Sequence, residues 1–215
     1  MGSRLAALTP DSIAWQDYRS SPTGMVVFYA GDAIAELPIR EVPEEITSDI
    51  SPDPNYETGT YGFYGCGKTK IRAAFAKEKI KYLLFVTKYV GTNADFQGKN
   101  FITGFYKITK TADVKRTHIR FGTDYSCLDE AACIALRADE VRFVAIEHAF
   151  PVTDAVLRSW NYKARLTQQT RVMIDEEKTQ KIVDHLRAQP DSTAAYIAET
   201  TRLQPHAEEE NEDEE

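Results

Sequence analysis

The sequence predicts an α+β protein, and three observations support that class. Apolar and alternating segments typical of strands are concentrated in the middle of the chain, at residues 82–108. Segments with helical spacing are scattered between the strand segments, without the regular strand–helix alternation of a parallel α/β sheet. The composition, with 42% hydrophobic and 27% charged residues, is that of an ordinary globular protein. We therefore expect a single α+β domain over residues 1–188.

Most of the predicted strands lie in the first 121 residues. β-Branched and aromatic residues mark them, at residues 25–30, 33–39, 82–90, 101–108 and 117–121. Residues 41–60 are acidic and interrupted by prolines, which predicts a long loop. A helix is predicted over residues 69–80, because Ile71 and Phe75 share one face. Gly104, inside a strand, indicates a bulge or a close backbone approach.

The remainder of the chain is predicted to be mainly helical, with one strand at residues 141–146. The predicted helices cover residues 128–138, 153–160, 174–186 and 192–201. Thr153 or Asp154 can cap the short second helix, and acidic residues in the first turn favour the third. Residues 189–207 are expected to form a weak helix or linker. Residues 208–215 are expected to form a disordered acidic tail.

Charge is distributed unevenly along the chain. The formal net charge is −7, and residues 208–215 alone carry seven of the 33 acidic residues. Residues 61–120 contain 13 Lys and Arg against three acids, a net charge of +10, together with many aromatic residues. Basic side chains neutralise phosphates, and rings stack on bases. The block therefore predicts binding of DNA or RNA, and the acidic tail is a candidate intramolecular mimic that contacts it. The alternative is that the rings are core and the lysines form a solvated face.

Residues 62–69 match the phosphate-loop pattern G-x-x-x-x-G-K-[ST]. There the sequence resembles the Walker A loop of P-loop NTPases. This resemblance implies an alternative function, a hydrolase with ATP or GTP and Mg²⁺ as cofactor. The residues that would bind the nucleotide are Gly62, Gly65, Gly67, Lys68 and Thr69. Such a loop requires a buried parallel strand directly before it, which residues 51–61 would have to form.

A second resemblance covers the central strands. Residues 81–110, which include the run Gly104-Phe105-Tyr106-Lys107-Ile108, are similar to PUA-like barrels such as EVE-type readers of modified bases. Residues 165–186 resemble the closing strand and helix of those modules. The resemblance implies a small mixed β-barrel core with flanking helices, and an aromatic pocket that binds a flipped or single-stranded base. The candidate nucleic-acid-binding residues are Tyr61, Phe63, Tyr64, Lys68, Lys70, Arg72, Lys99, Tyr106 and Lys107.

No metal site and no catalytic residue are predicted. The three cysteines and four histidines have no spacing typical of a zinc site. Few cysteines and no long apolar run predict a cytoplasmic protein without a membrane segment. The sequence does not decide whether the chain is an enzyme. A protein-interaction or viral accessory role is a third class, which applies if neither nucleic acid nor nucleotide binds.

Overall fold

The computed structural model describes residues 14–29, 54, 56, 58–61, 80–114, 133–167 and 170–203. Eight strands lie in these ranges: β1 Gln16–Asp17, β2 Ser21–Phe28, β3 Thr60–Tyr61, β4 Ile80–Lys88, β5 Asn100–Val114, β6 Cys133–Phe143, β7 Phe150–Val152 and β8 Arg171–Ile174. The helices are α1 Asp154–Ser159, α2 Glu176–Arg187 and α3 Thr193–Leu203, with a 3₁₀ turn at Ile146–His148. The protein is thus mixed α+β, as predicted, and consists mostly of sheet.

The strands form one sheet in the order β3-β6-β5-β4-β2-β8, and β1 and β7 also pair with β5. The β2–β4 pair is parallel, whereas the other pairings in the described strands are antiparallel. Strand β5 has 15 residues and pairs with four strands, more than any other described strand. Within the described strands, β3 and β8 terminate the order and do not pair with each other. The small closed barrel implied by the PUA-like resemblance is therefore not confirmed.

Both faces of the sheet are covered, which explains the almost continuous apolar run in β4. Leu84 and Val86 point to one face, where they pack with Trp160 and with Ile182 and Leu186 of α2. We call this cluster the helix-side core. The alternate residues of β4 enter a second cluster on the other face, the tyrosine-side core. Its aromatic members are Tyr56, Tyr61, Phe85, Tyr106, Phe143 and Tyr196.

Gly104 allows a close approach between β5 and the tyrosine-side core, as its position in the strand predicted. A β-carbon at this residue would overlap the hydroxyl of Tyr56 and the carbonyl oxygen of Arg142. The β4–β5 register also shifts here, because Phe85 pairs with Gly104 while Val86 pairs with Ile102. The extra residue in β5 is a bulge.

One helix prediction fails, and another falls almost entirely outside the described residues. The helix predicted over residues 128–138 is wrong from Cys133 onward, because Cys133–Phe143 is strand β6. Ala and Leu favour a helix locally, but pairing with β5 along the strand overrides that preference. The helix predicted over residues 69–80 lies outside the described residues except for Ile80, which begins β4. The strands predicted at residues 33–39 and 117–121 also lie outside them. The strand predicted at residues 141–146 stops at Phe143.

The three later helices are confirmed, and of the two residues predicted to cap the first of them, it is Thr153 that does so. Thr153 caps α1 by accepting a hydrogen bond from the backbone N–H of Val156. Asp175 caps α2 by accepting from the N–H of Lys178 at 2.9 Å. Helix α3 packs on the sheet through Tyr196, which is buried in the tyrosine-side core.

Candidate functional site

The described aromatic candidates are core residues. Tyr106 is 0% exposed and Tyr61 is 8% exposed, and both belong to the tyrosine-side core. The ring of Tyr106 lies 4.7 Å from that of Phe85 and 5.1 Å from that of Tyr56, between centroids. In this arrangement neither ring offers a face to a base. The prediction that these two residues line an aromatic pocket is therefore corrected, because a second layer covers the face of the sheet to which they point.

The described basic candidates do not share one surface. Lys107 forms an ion pair with Asp139 at 3.1 Å. Lys99 directly precedes β5, so eight residues of mostly extended chain, roughly 25 Å, separate it from Lys107. The other candidates lie outside the described residues: Phe63, Tyr64, Lys68, Lys70 and Arg72, and Gly62, Gly65, Gly67 and Thr69 of the phosphate-loop match.

The segment before the phosphate-loop match is partly described. Immediately before Gly62, Thr60–Tyr61 forms β3, a strand of two residues. It pairs antiparallel with β6, through Thr60 with Arg137 and Tyr61 with Leu136. The described residues among 51–61 therefore do not provide the parallel strand that aims a P-loop at a nucleotide.

A different part of the structure brings basic residues together. A cleft of about 600 Å³ lies between the β4–β5 connection and α1 with the segment that follows it. Its size falls in the range of small-molecule and nucleotide sites, roughly 300–1,000 Å³. The lining residues are Lys88, Gly98, Asn100, Asp154, Leu157, Arg158, Tyr162, Lys163, Ala164, Arg165 and Leu166. We call it the basic cleft.

One wall of the basic cleft depends on a turn at the end of α1. Asn161 has a φ of 57°, in the left-handed region that Asn tolerates better than most residues. The N–H of Asn161 donates to the carbonyl of Arg158 and the N–H of Tyr162 to that of Leu157, both at 3.0 Å. This is a Schellman C-cap. It ends the helix and sets Lys163 and the following residues beside the helix residues that line the cleft.

Strand register fixes the opposite wall. Lys88, the last residue of β4, pairs with Asn100, the first residue of β5. Asn100 pairs on its other side with Val152 of β7, two residues before Asp154. The connecting loop is closed by two backbone hydrogen bonds with Tyr89, one to the carbonyl of Lys99 at 2.9 Å and one from the N–H of Gly98 at 3.0 Å. Strand pairing therefore fixes the backbone positions of Lys88 and Asn100.

The lining carries four cations and one acid, a net charge of +3. The cations are Lys88, Arg158, Lys163 and Arg165, and all four are exposed. In the described part of the chain, none of the four side chains has an ion pair or a hydrogen bond. Some other cations of the described residues form ion pairs, for example Lys107 with Asp139 and Arg187 with Glu140. With four cations against one acid, the lining of the basic cleft carries an excess of positive charge, which attracts anions.

Three lining residues with apolar or aromatic side chains are less exposed than the four cations, and we call them the floor of the cleft. Leu157, Tyr162 and Leu166 are partly buried and pack against the helix-side core. The hydroxyl of Tyr162 donates to the carbonyl of Arg165 at 3.2 Å and lies 3.3 Å from the hydroxyl oxygen of Thr170. These contacts hold the tyrosine in place. A cationic rim above an apolar floor can receive a ligand that is anionic at one end and flat and apolar at the other.

The sequence reasoning missed Arg158, Lys163 and Arg165. They come from a part of the chain with little net charge, so a charge average does not single them out. A local signal exists, because two aromatic residues, Trp160 and Tyr162, are followed within three residues by two basic ones, Lys163 and Arg165. The basic block contributes Lys88 to the lining, and Lys99 stands between the lining residues Gly98 and Asn100.

No protein-family model matches this chain, and comparisons with curated proteins and with solved structures give no match either. Within the described ranges, His, Cys, Asp and Glu residues form no group of three or more that could hold a metal ion. None of the helices described above has the length and apolar character needed to cross a membrane.

Proposed function

We propose that the protein binds nucleic acid and that the basic cleft holds backbone phosphates. The observation that carries this proposal is the convergence on one cleft of four cations, Lys88, Arg158, Lys163 and Arg165, which form no ion pair within the described part of the chain. Lys and Arg that contact phosphates release condensed counterions, and this release supplies most of the sequence-independent affinity for nucleic acid.

The distribution of the cations favours a chain of phosphates over a single small anion. Lys88 comes from the end of β4, Arg158 from α1, and Lys163 and Arg165 from the segment after α1. Charges placed on separate elements around an open cleft can each meet a different phosphate of one strand. The apolar floor adds a surface on which a base can lie, which suits a single strand with unstacked bases.

The resemblance to PUA-like readers supplies weaker support, and the resemblance to P-loop NTPases supplies none. The relation to PUA-like readers, with its small barrel and modified-base pocket, stays a prediction. It agrees with the proposal only at the level of nucleic-acid binding. The P-loop hydrolase also stays a prediction, which is tested by Mg²⁺-dependent hydrolysis of ATP or GTP that Lys68→Ala should abolish.

The proposal is tested by fluorescence anisotropy of the full chain with a labelled single-stranded oligonucleotide, as DNA and as RNA, over a series of salt concentrations. The double variant Lys163→Glu/Arg165→Glu should weaken binding at least tenfold. It should also reduce the slope of log K against log[salt] by about 1.4, since each lost phosphate contact contributes ~0.7 for a single strand. The wild-type affinity should fall steeply as salt rises.

A matched control has the same change in net charge away from the cleft. Lys110 and Lys181 are exposed and do not line the cleft, so Lys110→Glu/Lys181→Glu should reduce binding much less. Equal losses in the two double variants would overturn the cleft as the site. A polyglutamate peptide of matched length is a competitor for general acid binding. Competition as strong as that of the oligonucleotide would overturn nucleic acid as the ligand.

A further inference from the structure

We propose that the basic cleft seats one unstacked base on its apolar floor and that Asp154 accepts a hydrogen bond from an amino group of that base. This inference rests on the nucleic-acid binding proposed above and adds a base preference to it. The preferred bases are those with an exocyclic amine, namely adenine, cytosine or guanine, over thymine or uracil.

The floor of the cleft consists of side chains that suit a base better than a phosphate. Phosphates gain nothing from Leu157, Tyr162 and Leu166, whose side chains are partly buried against the helix-side core. A base gains by leaving water for such a surface, and aromatic side chains are common stacking partners of single-stranded bases. The contacts of the Tyr162 hydroxyl with Arg165 and Thr170 keep the ring from swinging away. The cleft therefore offers a fixed platform beneath its cationic rim.

The lining of the cleft also contains one acidic residue, Asp154. Asp154 is the single carboxylate among the lining residues, and it stands next to cations that would bind phosphate better without it. An ionised carboxylate can only accept hydrogen bonds. Its place in the cleft is explained if the ligand offers a donor, as an exocyclic amine does, and Asp or Glu is an established partner of the cytosine amine.

The helix start and the strand pairing place the backbone of Asp154 at the cleft. It is the first residue of α1, directly after the capping residue Thr153. The β5–β7 pairing places Asn100 opposite Val152, two residues before Asp154. Asn100 also lines the cleft, and its amide can both donate and accept. One acceptor-only group and one amide can together read the edge of a base that carries a donor beside an acceptor.

A purely structural role for Asp154 is the competing explanation, because an acid in the first turn of a helix is favoured by the helix dipole. The two roles differ in what Asp154→Asn does to binding. Removal of one negative charge should strengthen binding of a ligand that the carboxylate does not contact. The same change should weaken the preference for a base that the carboxylate does contact. A structural role predicts the first effect without the second.

The experiment measures the anisotropy of the full chain with oligothymidylate of twelve residues and with three variants that carry one central dA, dC or dG. We expect at least one amino-bearing base to bind roughly tenfold more tightly than thymine, the range that one stacked and hydrogen-bonded base supplies. Asp154→Asn should tighten binding of the all-thymine strand and reduce the preference at least threefold. Thermal melting of this exposed-site variant checks that the fold is kept.

Two further variants test the platform. Tyr162→Phe keeps the ring and should retain most of the base preference, whereas Tyr162→Ala should lose it. An equal affinity of wild type for all four strands would overturn the inference, as would an unchanged preference in Asp154→Asn. In both cases, salt-dependent binding that Lys163→Glu/Arg165→Glu weakens would leave the proposed function standing. Absence of oligonucleotide binding at any salt concentration would overturn both.

Discussion

Arg187 of α2 and Glu140 of β6 form a two-point ion pair, with Nε 2.8 Å from Oε1 and the NH2 nitrogen 2.7 Å from Oε2. The hydrogen bonds that Arg187 donates to the Glu140 carboxylate raise the pKa of Arg187 above its ordinary value. Parallel two-point contacts between a guanidinium and a carboxylate are stronger than single ones, and this pair links the last helical turn of α2 to the sheet.

We expect a modest coupling between these two residues, because both side chains are partly exposed. A double-mutant cycle with Arg187→Ala and Glu140→Ala should give about 0.5–1 kcal/mol, from urea denaturation at low salt. Arg187→Lys should recover less than half of that energy, since an ammonium cannot make both contacts. A coupling that does not fall with added salt would contradict an electrostatic origin.

Gly104→Ala should destabilise the protein strongly. The added methyl group would overlap the Tyr56 hydroxyl and the backbone carbonyl of Arg142, and a carbonyl in the sheet cannot move cheaply. We expect a loss of about 2 kcal/mol or more in the free energy of unfolding, typical of overpacking. In the Tyr56→Phe background the loss should be smaller, because one of the two overlaps is gone. The same loss in both backgrounds would place the strain entirely at Arg142.

Tyr56 should also affect stability at alkaline pH. Its hydroxyl is buried and has no hydrogen-bond partner among the described residues, and burial raises its pKa well above the ordinary value, assisted by repulsion from Tyr29. A raised pKa in the folded state means that the stabilisation is complete below about pH 10 and is lost as the pH rises above it. Burial raises the pKa of Tyr18 in the same direction.

The measurement is the urea midpoint of wild type and Tyr56→Phe between pH 8 and pH 11.5. Each such tyrosine should lower the free energy of unfolding by up to about 1.4 kcal/mol per pH unit above pH 10. Tyr56→Phe should remove one of these contributions. At neutral pH it should be neutral or stabilising by up to about 1 kcal/mol, since no hydrogen bond is lost. Identical pH profiles for the two proteins would argue against full burial of this hydroxyl.

Substitutions at Asn161 should change both the free energy of unfolding and the affinity for oligonucleotide. Its left-handed backbone is accessible to Gly and unfavourable for Val, so Asn161→Val should cost about 1–2 kcal/mol, whereas Asn161→Gly should be nearly neutral. Because the turn sets the positions of Lys163 and Arg165, the Val variant should also bind oligonucleotide more weakly. Denaturation and anisotropy on the same samples check both effects. Weaker binding in the Gly variant as well would point to a direct role of the Asn side chain.

The acidic tail at residues 208–215 lies outside the described residues, and its contact with basic residues stays a prediction. Its seven carboxylates should compete with phosphates for the basic cleft, as a tethered competitor does. Replacement of these acids by Gln and Asn should raise oligonucleotide affinity severalfold at low salt and have little effect near 0.5 M salt, where screening is short-ranged. An unchanged affinity at low salt would show that the tail does not compete.

The strands that the sequence predicted well are those whose pattern is local. The apolar runs of β2, β4 and β5 lie in the interior of the sheet, and Thr153, one of the two residues predicted to cap α1, does so. The part of β6 before Val141 was missed, because Ala and Leu residues favour a helix until a long partner strand is present.

The candidate site was much harder to predict. Residues 88, 100, 154 and 163 are far apart along the chain, and only the register of β4, β5 and β7 with the turn at Asn161 brings them together. Tyr61 and Tyr106 were wrongly predicted to bind a base. The alternation of residues in a strand reveals which side chains share a face of the sheet, but it does not reveal whether other residues cover that face.

The parallel pairing of β2 with β4 has a consequence for how the chain reaches its native state. The antiparallel β4–β5 hairpin closes through a loop of 11 residues, between Lys88 and Asn100. The β2–β4 pair instead encloses the 51 residues between Phe28 and Ile80, including β3, which lies at the opposite edge of the sheet. Distant contacts carry a larger entropy of closure and form more slowly. Folding should therefore begin at the β4–β5 hairpin, and the later pairing of β2 with β4 should set the rate of folding.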